Sequence, residues 1–329
     1  MLEQNPVERG VPESGTLWKR IIEQTNHALE CGSLQTIETD YEIIEQNNIR
    51  FLVRILSNLI RKDEAKKQQE SKNSNTKTEF NPFLPYEKDL FVADLSPTHL
   101  CILNKYNVVP HHLLIITRDF QEQESWLNLQ DFEALWTCLT EIDGLAFYNG
   151  GKTAGSSQRH KHLQLIPFPP VSGKIAIPIE TALAAAQFQD SLGKIPHFPF
   201  IHAFTKLDFS WVNSTLDAAK ATLECYQTLL KAVGLSVEGD RQTGAYNLLA
   251  TREWMLIVPR SQESFASIAV NSLGFAGALL VRNSQQLQLL KQYSPLTILQ
   301  NVACVEQSEL PLAIERQNPV KQNIIEKKQ

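Results

Sequence analysis

Residues 150–167 constrain the fold of this chain more than any other stretch. Gly150-Gly151-Lys152-Thr153-Ala154-Gly155-Ser156-Ser157-Gln158 holds no apolar side chain larger than Ala. It runs directly into Arg159-His160-Lys161-His162-Leu163-Gln164-Leu165-Ile166-Pro167, where polar and apolar residues alternate. A period of two is that of a strand with one packed and one polar face. The reading is therefore a small-residue loop followed by a strand, which Pro167, Pro169 and Pro170 stop because proline cannot donate to a ladder. Leu163 and Leu165 then face the core, while His160, His162 and Gln164 share the other face, spaced roughly 6 to 7 Å apart at about 3.3 Å per residue. Gly151-Lys152-Thr153 invites a P-loop reading, but that pattern needs glycine where Ala146 stands.

Around this unit the sequence alternates helix and strand patterns. Leu17, Trp18, Ile21 and Ile22 recur at helical spacing and stop near Cys31-Gly32, predicting an N-terminal helix. A second candidate segment, Ile49 to Ile60, is apolar-rich and leads into a polar tract over 63–79 that reads as a surface insertion. Leu100–Leu103 and Leu113–Thr117 read as two paired strands, joined through a polar link that includes His111 and His112. After Pro110 these two imidazoles read as solvated turn residues. Phe132, Leu135, Trp136, Leu139 and Ile142 step by three or four, predicting a helix capped by Asn128 and ended by Gly144, then a strand over Leu145–Asn149. Further helices are expected over Glu180–Leu192 and Thr215–Val233, the second stopped by Gly234 and burying Leu216, Ala219, Leu223, Tyr226 and Leu230.

At 329 residues the chain is long enough for two lobes. The boundaries expected are a first lobe over 1–195, a second over 196–315 and a polar tail over 316–329. Leu100–Arg118 and Tyr246–Arg260 share an order of apolar strand, short polar link and second strand, which suggests a distant internal duplication. In that alignment Asn271–Gly277 stands where the first lobe has its Ser-rich loop, but no histidine follows, so the second lobe reads as a chemically silent copy.

A formal net charge of -5 gives no basic surplus for a long nucleic acid backbone, so a small anionic ligand is expected instead of a nucleic acid partner. Five scattered Cys without a C-x-x-C pair read as reduced thiols. No apolar run reaches the roughly 18 residues of a membrane span, so no membrane partner and a cytoplasmic location are expected.

The polar strand face beside a Gly/Ser loop is suited to phosphate chemistry. An imidazole with an ordinary pKa near 6.5 is mostly neutral at cellular pH, and a backbone carbonyl on one ring nitrogen would leave the other lone pair free to attack phosphorus. His162 in that role splits one hard displacement into two easier ones through a phosphoramidate. Gln164 would donate to non-bridging oxygens, with Ser156, Ser157 and Gln158 as further donors. Two other readings of an H-x-H pair are half of a zinc site and plain surface polarity. Neither Cys nor Asp lies close in sequence to complete a metal site, and no protein-bound metal is expected. Lys105 reads equally as a solvated turn residue or as a group that steers an anion.

The run Gly155–Gln164 resembles that of the diadenosine tetraphosphate phosphorylases (ATP adenylyltransferases) of the histidine-triad superfamily, in the branch with the galactose-1-phosphate uridylyltransferases. Asn81-Pro82-Phe83, Leu103-Asn104-Lys105-Tyr106, Val109-Pro110 with His112-Leu113-Leu114, and Asn271–Phe275 support it. The resemblance implies an α+β fold of two histidine-triad-like lobes, with antiparallel sheets and flanking helices. It also implies that His162 is the adenylylated nucleophile, with His160 and Gln164 beside it, and that Gly155, Ser156, Ser157 and Gln158 cradle the polyphosphate. Asn104, Lys105, Asn149, Asn271, Ser272 and Leu273 match substrate-binding positions, and Arg282 stands where Lys is usual. Gln164 in place of a third histidine implies transfer to phosphate rather than water, hence diadenosine tetraphosphate plus phosphate giving ATP plus ADP. No covalent cofactor is implied, and magnesium enters only with the polyphosphate. Ala278, where a larger residue such as Met is expected, and the 63–79 insertion are departures. The alternatives are a sugar-1-phosphate nucleotidylyltransferase and a nucleotide-binding sensor without turnover.

Overall fold

The computed structural model describes residues 15–56, 80–168, 177–208, 214–236 and 239–306; the 63–79 tract and the 316–329 tail lie outside them. Helix α1 (Leu17–Glu30) ends as expected, with Gly32 in the left-handed region at φ 76. The next apolar segment forms a hairpin, β1 (Thr39–Gln46) with β2 (Ile49–Leu56). Asn47 and Asn48 form its two-residue turn at φ 50 and 62, the conformation such turns require. Strands β3 (Phe91–Asp94), β4 (His99–Leu103) and β5 (Leu113–Thr117) form an antiparallel meander. Helix α2 (Leu129–Leu139) then crosses over to the hairpin of β6 (Gly144–Gly150) and β7 (His162–Pro167). Asn128 caps α2 in a full capping box with Asp131. The helix stops at Leu139, short of the expected end, with Ile142 buried in the turn and Gly144 opening β6 instead of closing the helix.

The expected helix over Glu180–Leu192 is a single turn, α3 (Glu180–Leu183), followed by the hairpin β8 (Gln187–Gln189) and β9 (Leu192–Lys194). Asp190 at φ 54 turns the chain, and Gly193 lets the Phe188 and Phe204 rings approach the backbone, so pairing with β10 (Ala203–Lys206) overrides the helical pattern. Helix α4 (Thr215–Ala232) is capped by Ser214 and stopped by Gly234. It buries Ala218, Ala219, Thr222, Tyr226, Leu229 and Leu230, whereas Leu216, expected in the stripe, is exposed. Strands β11 (Tyr246–Ala250) and β12 (Trp254–Pro259) form the next hairpin. A short pair, β13 (Ser264–Phe265) and β14 (Ile268–Ala269), precedes α5 (Ser272–Phe275), β15 (Ala278–Val281), α6 (Ser284–Tyr293) and α7 (Pro295–Val302).

Ten strands form one sheet in the order β3-β4-β5-β7-β6-β11-β12-β10-β9-β8, and all its pairings are antiparallel. Read from each end, the sheet shows a repeat: a three-stranded meander, a crossover helix, and a hairpin whose second strand inserts beside the meander. The duplicated unit is therefore β3–β7 against β8–β12. This corrects the alignment of Leu100–Arg118 with Tyr246–Arg260, because β4–β5 correspond to β9–β10 and β11–β12 to β6–β7. The counterpart of the loop before His162 is the tight turn at Thr251–Glu253, not Asn271–Gly277.

Alternation sorts side chains to two layers. Tyr148, Leu163, Leu165, Leu248 and Ile257 join the core under α2 and α4, which touch through Phe132 and Tyr226 (ring centroids 5.4 Å) and a Trp136 Nε1–H to Thr222 Oγ1 bond of 2.7 Å. Phe147, Leu249, Leu256 and Val258 face the opposite layer of β2, β15 and α5–α7, where β15 runs parallel to β2. The strand face of His162 and Gln164 opens toward this second layer.

Candidate active site

His162 opens β7 and is buried. Its Nδ1 lies 2.8 Å from the His160 carbonyl oxygen, which can only accept, so Nδ1 carries the hydrogen and Nε2 keeps its lone pair. Burial, the largest effect, pushes this imidazole down to about 4; the bond to the His160 carbonyl opposes the shift and the nearby His160 ring reinforces it. The ring is therefore neutral and held in one tautomer. Phe83 packs edge-on against it at 5.4 Å, in the turn that begins at Asn81.

His160 acts through its backbone. Its ring lies on the side of His162, as expected, since both imidazoles pack edge-on against Phe83 at 5.5 and 5.4 Å, although β7 begins only at His162 and His160 pairs as an isolated bridge with Glu122. Its Nε2 donates to the Thr117 carbonyl at 2.8 Å and its Nδ1 accepts from Asn81 Nδ2 at 3.0 Å, so both ring nitrogens are occupied. A ring fixed at both nitrogens holds its own carbonyl where His162 needs it.

Three groups to which sequence reasoning gave no part in the site surround this arrangement. Gln123, buried, accepts from the His162 N–H at 2.9 Å and donates to the Asn149 and His162 carbonyls at 2.9 and 3.2 Å. Lys161, between the two histidines, points into the opposite layer and bonds Asp131 at 2.5 Å and the Trp126 carbonyl at 2.8 Å. Burial alone would raise the Asp131 pKa; the His99 hydrogen bond and the Lys161 charge more than reverse this and hold it low. Third, His112 is buried, not a solvated turn residue: Asn104 Nδ2 meets its Nδ1 at 3.1 Å and Phe147 its ring at 5.7 Å.

The second repeat meets this site along the β6–β11 seam, where Asn149 pairs with Asn247. Asn149 Oδ1 accepts from Asn247 Nδ2 (3.0 Å), Ser272 N (2.9 Å) and Ser272 Oγ (2.8 Å), which fixes the amide with its NH2 away from these donors. The buried Arg260 guanidinium joins Asn247 Oδ1 (2.6 Å), the Val270 carbonyl (2.9 Å) and the Ala154 carbonyl (3.2 Å). Gly155, at φ 90, lies so close that a Cβ there would sit 2.7 Å from the Val270 oxygen and 3.0 Å from Asn271 Cα. The structure therefore brings Gly155, Asn149, Asn271 and Ser272 together as expected, with Leu273 donating to Asn271 Oδ1 in the cap of α5. Within the loop, Ser156 Oγ bonds the Gln158 carbonyl at 2.9 Å and Ser157 is exposed. Lys105 is held by Glu87 at 2.6 Å, and Arg282, exposed just beyond β15, is tied through its backbone N–H to Gln286.

Residues 8–185, more than half of the chain, match the family model of the Ap4A phosphorylase N-terminal domain. The chain belongs to the Ap4A phosphorylase family. Residues 196–305 match the model of the ATP adenylyltransferase C-terminal domain. Diadenosine 5',5'''-P1,P4-tetraphosphate phosphorylase 2 of Saccharomyces cerevisiae is 29% identical over 263 residues, covering 69% of this chain and 76% of the relative. Protein APA1 of the same organism is 26% identical over 293 residues, covering 80% and 86%. The crystal structure of yeast Ap4A phosphorylase Apa2 has the same fold, at a TM-score of 0.71 and 22% identity over 92% of this chain and 98% of that one. The same yeast protein has been solved in complex with Ap4A, and that structure aligns at a TM-score of 0.69 and 22% identity over 90% and 98%.

Proposed function

We propose that this enzyme is a nucleotidyltransferase that cleaves diadenosine 5',5'''-P1,P4-tetraphosphate by phosphorolysis to ATP and ADP, with an adenylyl group carried on His162. The observation that carries the reading is the buried, neutral His162 ring with Nδ1–H bound to the His160 carbonyl and Nε2 free. In the first step the Nε2 lone pair attacks a terminal phosphorus, a P–N bond forms, and the P–O bond to ATP breaks. In the second a phosphate oxygen attacks the same phosphorus and ADP leaves as the P–N bond breaks. Family membership and the relative solved with Ap4A support the substrate class.

The choice of phosphate over water follows from proton accounting. Inorganic phosphate arrives with ionised oxygens, whereas attacking water must lose a proton to a base. Around His162 both His160 nitrogens are occupied, Gln164 is not basic, and burial pushes His112 down to about 4. The loop Gly155–Gln158, the Asn149 amide, Asn104 and Lys105, and the Asn271–Leu273 segment receive the polyphosphate and nucleoside, with Arg282 as a cation on the second-repeat side. The only group of three or more metal-ligand side chains among the described residues is His27, Cys31 and Asp89 on the exposed side of α1. Magnesium that enters with the substrate would be held by the polyphosphate oxygens.

The test is incubation with Ap4A, with and without phosphate, beside His162→Ala. ATP plus ADP appearing only with phosphate, and absent in the variant, is the expected result. ATP plus AMP without phosphate would sink the phosphorolysis reading.

A further inference from the structure

His112 ends the polar link before β5, and the β5–β7 register sets Leu114 opposite Gln164 and Ile116 opposite His162. Residues directly opposite share a face and alternate residues along a strand share it too, so His112 projects to the same side as Gln164 and His162. The β5-β7-β6 order puts Gln164 on the strand between His112 and Phe147, and Phe147 pairs with Gln164 across β6–β7. The His112 and Phe147 rings nevertheless lie only 5.7 Å apart. The two rings thus meet over β7, on the face that carries the Gln164 side chain.

The two nitrogens of His112 are not equivalent. Asn104 Nδ2 can only donate, so Nδ1 accepts and the hydrogen resides on Nε2. Nε2 is buried and is one of three buried side-chain polar atoms among the described residues without a hydrogen-bond partner. A buried donor left unmet is costly, so a partner that reaches it only when the site is loaded is favoured by that amount. Gln164 is the side chain close enough to act on His112, since it opposes the fall that burial causes in the His112 pKa, although it does not meet Nε2 with hydrogen-bond geometry here.

We propose that His112 is a positioning residue for the transfer: its Nε2–H takes the Gln164 side-chain oxygen and so turns the Gln164 NH2 toward the phosphoryl group on His162. An amide free to flip must be oriented by the anionic phosphate itself, because its oxygen is repelled there. One held by His112 offers only donors. The proposal rests on nucleotidyl transfer through His162 and explains how a glutamine, which has no proton to exchange, serves as a fixed oxyanion donor.

The test uses the full chain with His112→Gln and His112→Leu. A glutamine amide nitrogen reaches the place of imidazole Nε2 and can donate to Gln164, whereas leucine fills the space without a donor. Removing one oxyanion donor costs on the order of 10²-fold in rate. His112→Leu is therefore expected to lose about that in kcat with KM for Ap4A within a few-fold, while His112→Gln recovers to within about tenfold of the parent. If His112 merely packs against Phe147, the order reverses and the leucine variant is the more active; that order, or full activity in both, overturns the proposal. Should the variants fail to fold, ¹⁵N NMR of the parent decides: an Nδ1–H tautomer of His112 overturns the proposal, and Nε2–H together with a downfield shift of that proton in the adenylyl-enzyme upholds it. The unaltered chain separates the two readings: if it forms no adenylyl-enzyme, the reaction assignment falls and this proposal with it.

Discussion

A single hydrogen bond, from His162 Nδ1 to the His160 carbonyl, fixes which ring nitrogen keeps its lone pair. Because burial holds its pKa at about 4, the ring stays neutral far below the ordinary histidine range. Formation of the adenylyl-enzyme should therefore be flat in pH from about 8 down to about 5 and fall only near 4, as rapid quench would show; a titration centred near 6.5 would contradict this. Lys161 carries a second prediction at this scale. It and Asp131 are both buried, so Lys161→Met leaves a carboxylate in the core with His99 as its one remaining charge-bearing side-chain partner beside the Asn128 N–H. A loss of about 3–5 kcal/mol in urea unfolding is expected, of the size found when one member of a buried pair is removed. The sequence showed that Lys161 turns away from His162, since alternation alone decides that. It did not show the Asp131 carboxylate waiting there, because that partner comes from α2, thirty positions earlier in the chain. His112 was misread for a related reason: a turn after proline is usually wet, and only the fold brings Phe147 from two strands away to cover it.

At the scale of elements, the Gly155 loop is where the first repeat touches the Val270–Asn271 segment that leads into α5. Gly155→Ala combines a φ of 90, rare for a side-chain-bearing residue, with a Cβ 2.7 Å from a backbone oxygen that has no flexible end to move. The expected outcome is a several-fold rise in KM for Ap4A with adenylyl transfer still detectable, and a stability loss of about 1–2 kcal/mol. Steady-state kinetics and thermal melts check it, and an unchanged KM would show that the loop does not carry substrate. Strands and helices with long periodic patterns were legible, including β4–β5, α4 and the loop-to-β7 unit. The Glu180–Leu192 segment was not, because its alanines favour a helix until β10 offers an edge to pair with. The two-residue turn Asn47-Asn48 carried a hairpin signal that was overlooked. Arg260 was beyond reach, since its five carbonyl partners and Asn247 come from separate segments of the chain.

For the whole molecule, burying two neutral imidazoles makes stability depend on acidity. His112 and His162 take up protons near 6.5 when unfolded but only near 4 when folded, so the unfolded state binds more protons between these values. Stability is fully present above about 6.5 and declines as pH falls toward 4, by about 3 kcal/mol for each of the two rings. Urea unfolding across that range should show the slope, to which His160 and His202, also lowered by burial, add, and His112→Leu should reduce it. The duplication was suspected from sequence but aligned on the wrong strands, because apolar strand pairs resemble one another until the spatial order is known. That order has one further consequence. The β6–β11 pairing that assembles the site lies within a single polypeptide, so the two halves meet at a fixed effective concentration and dilution cannot part them.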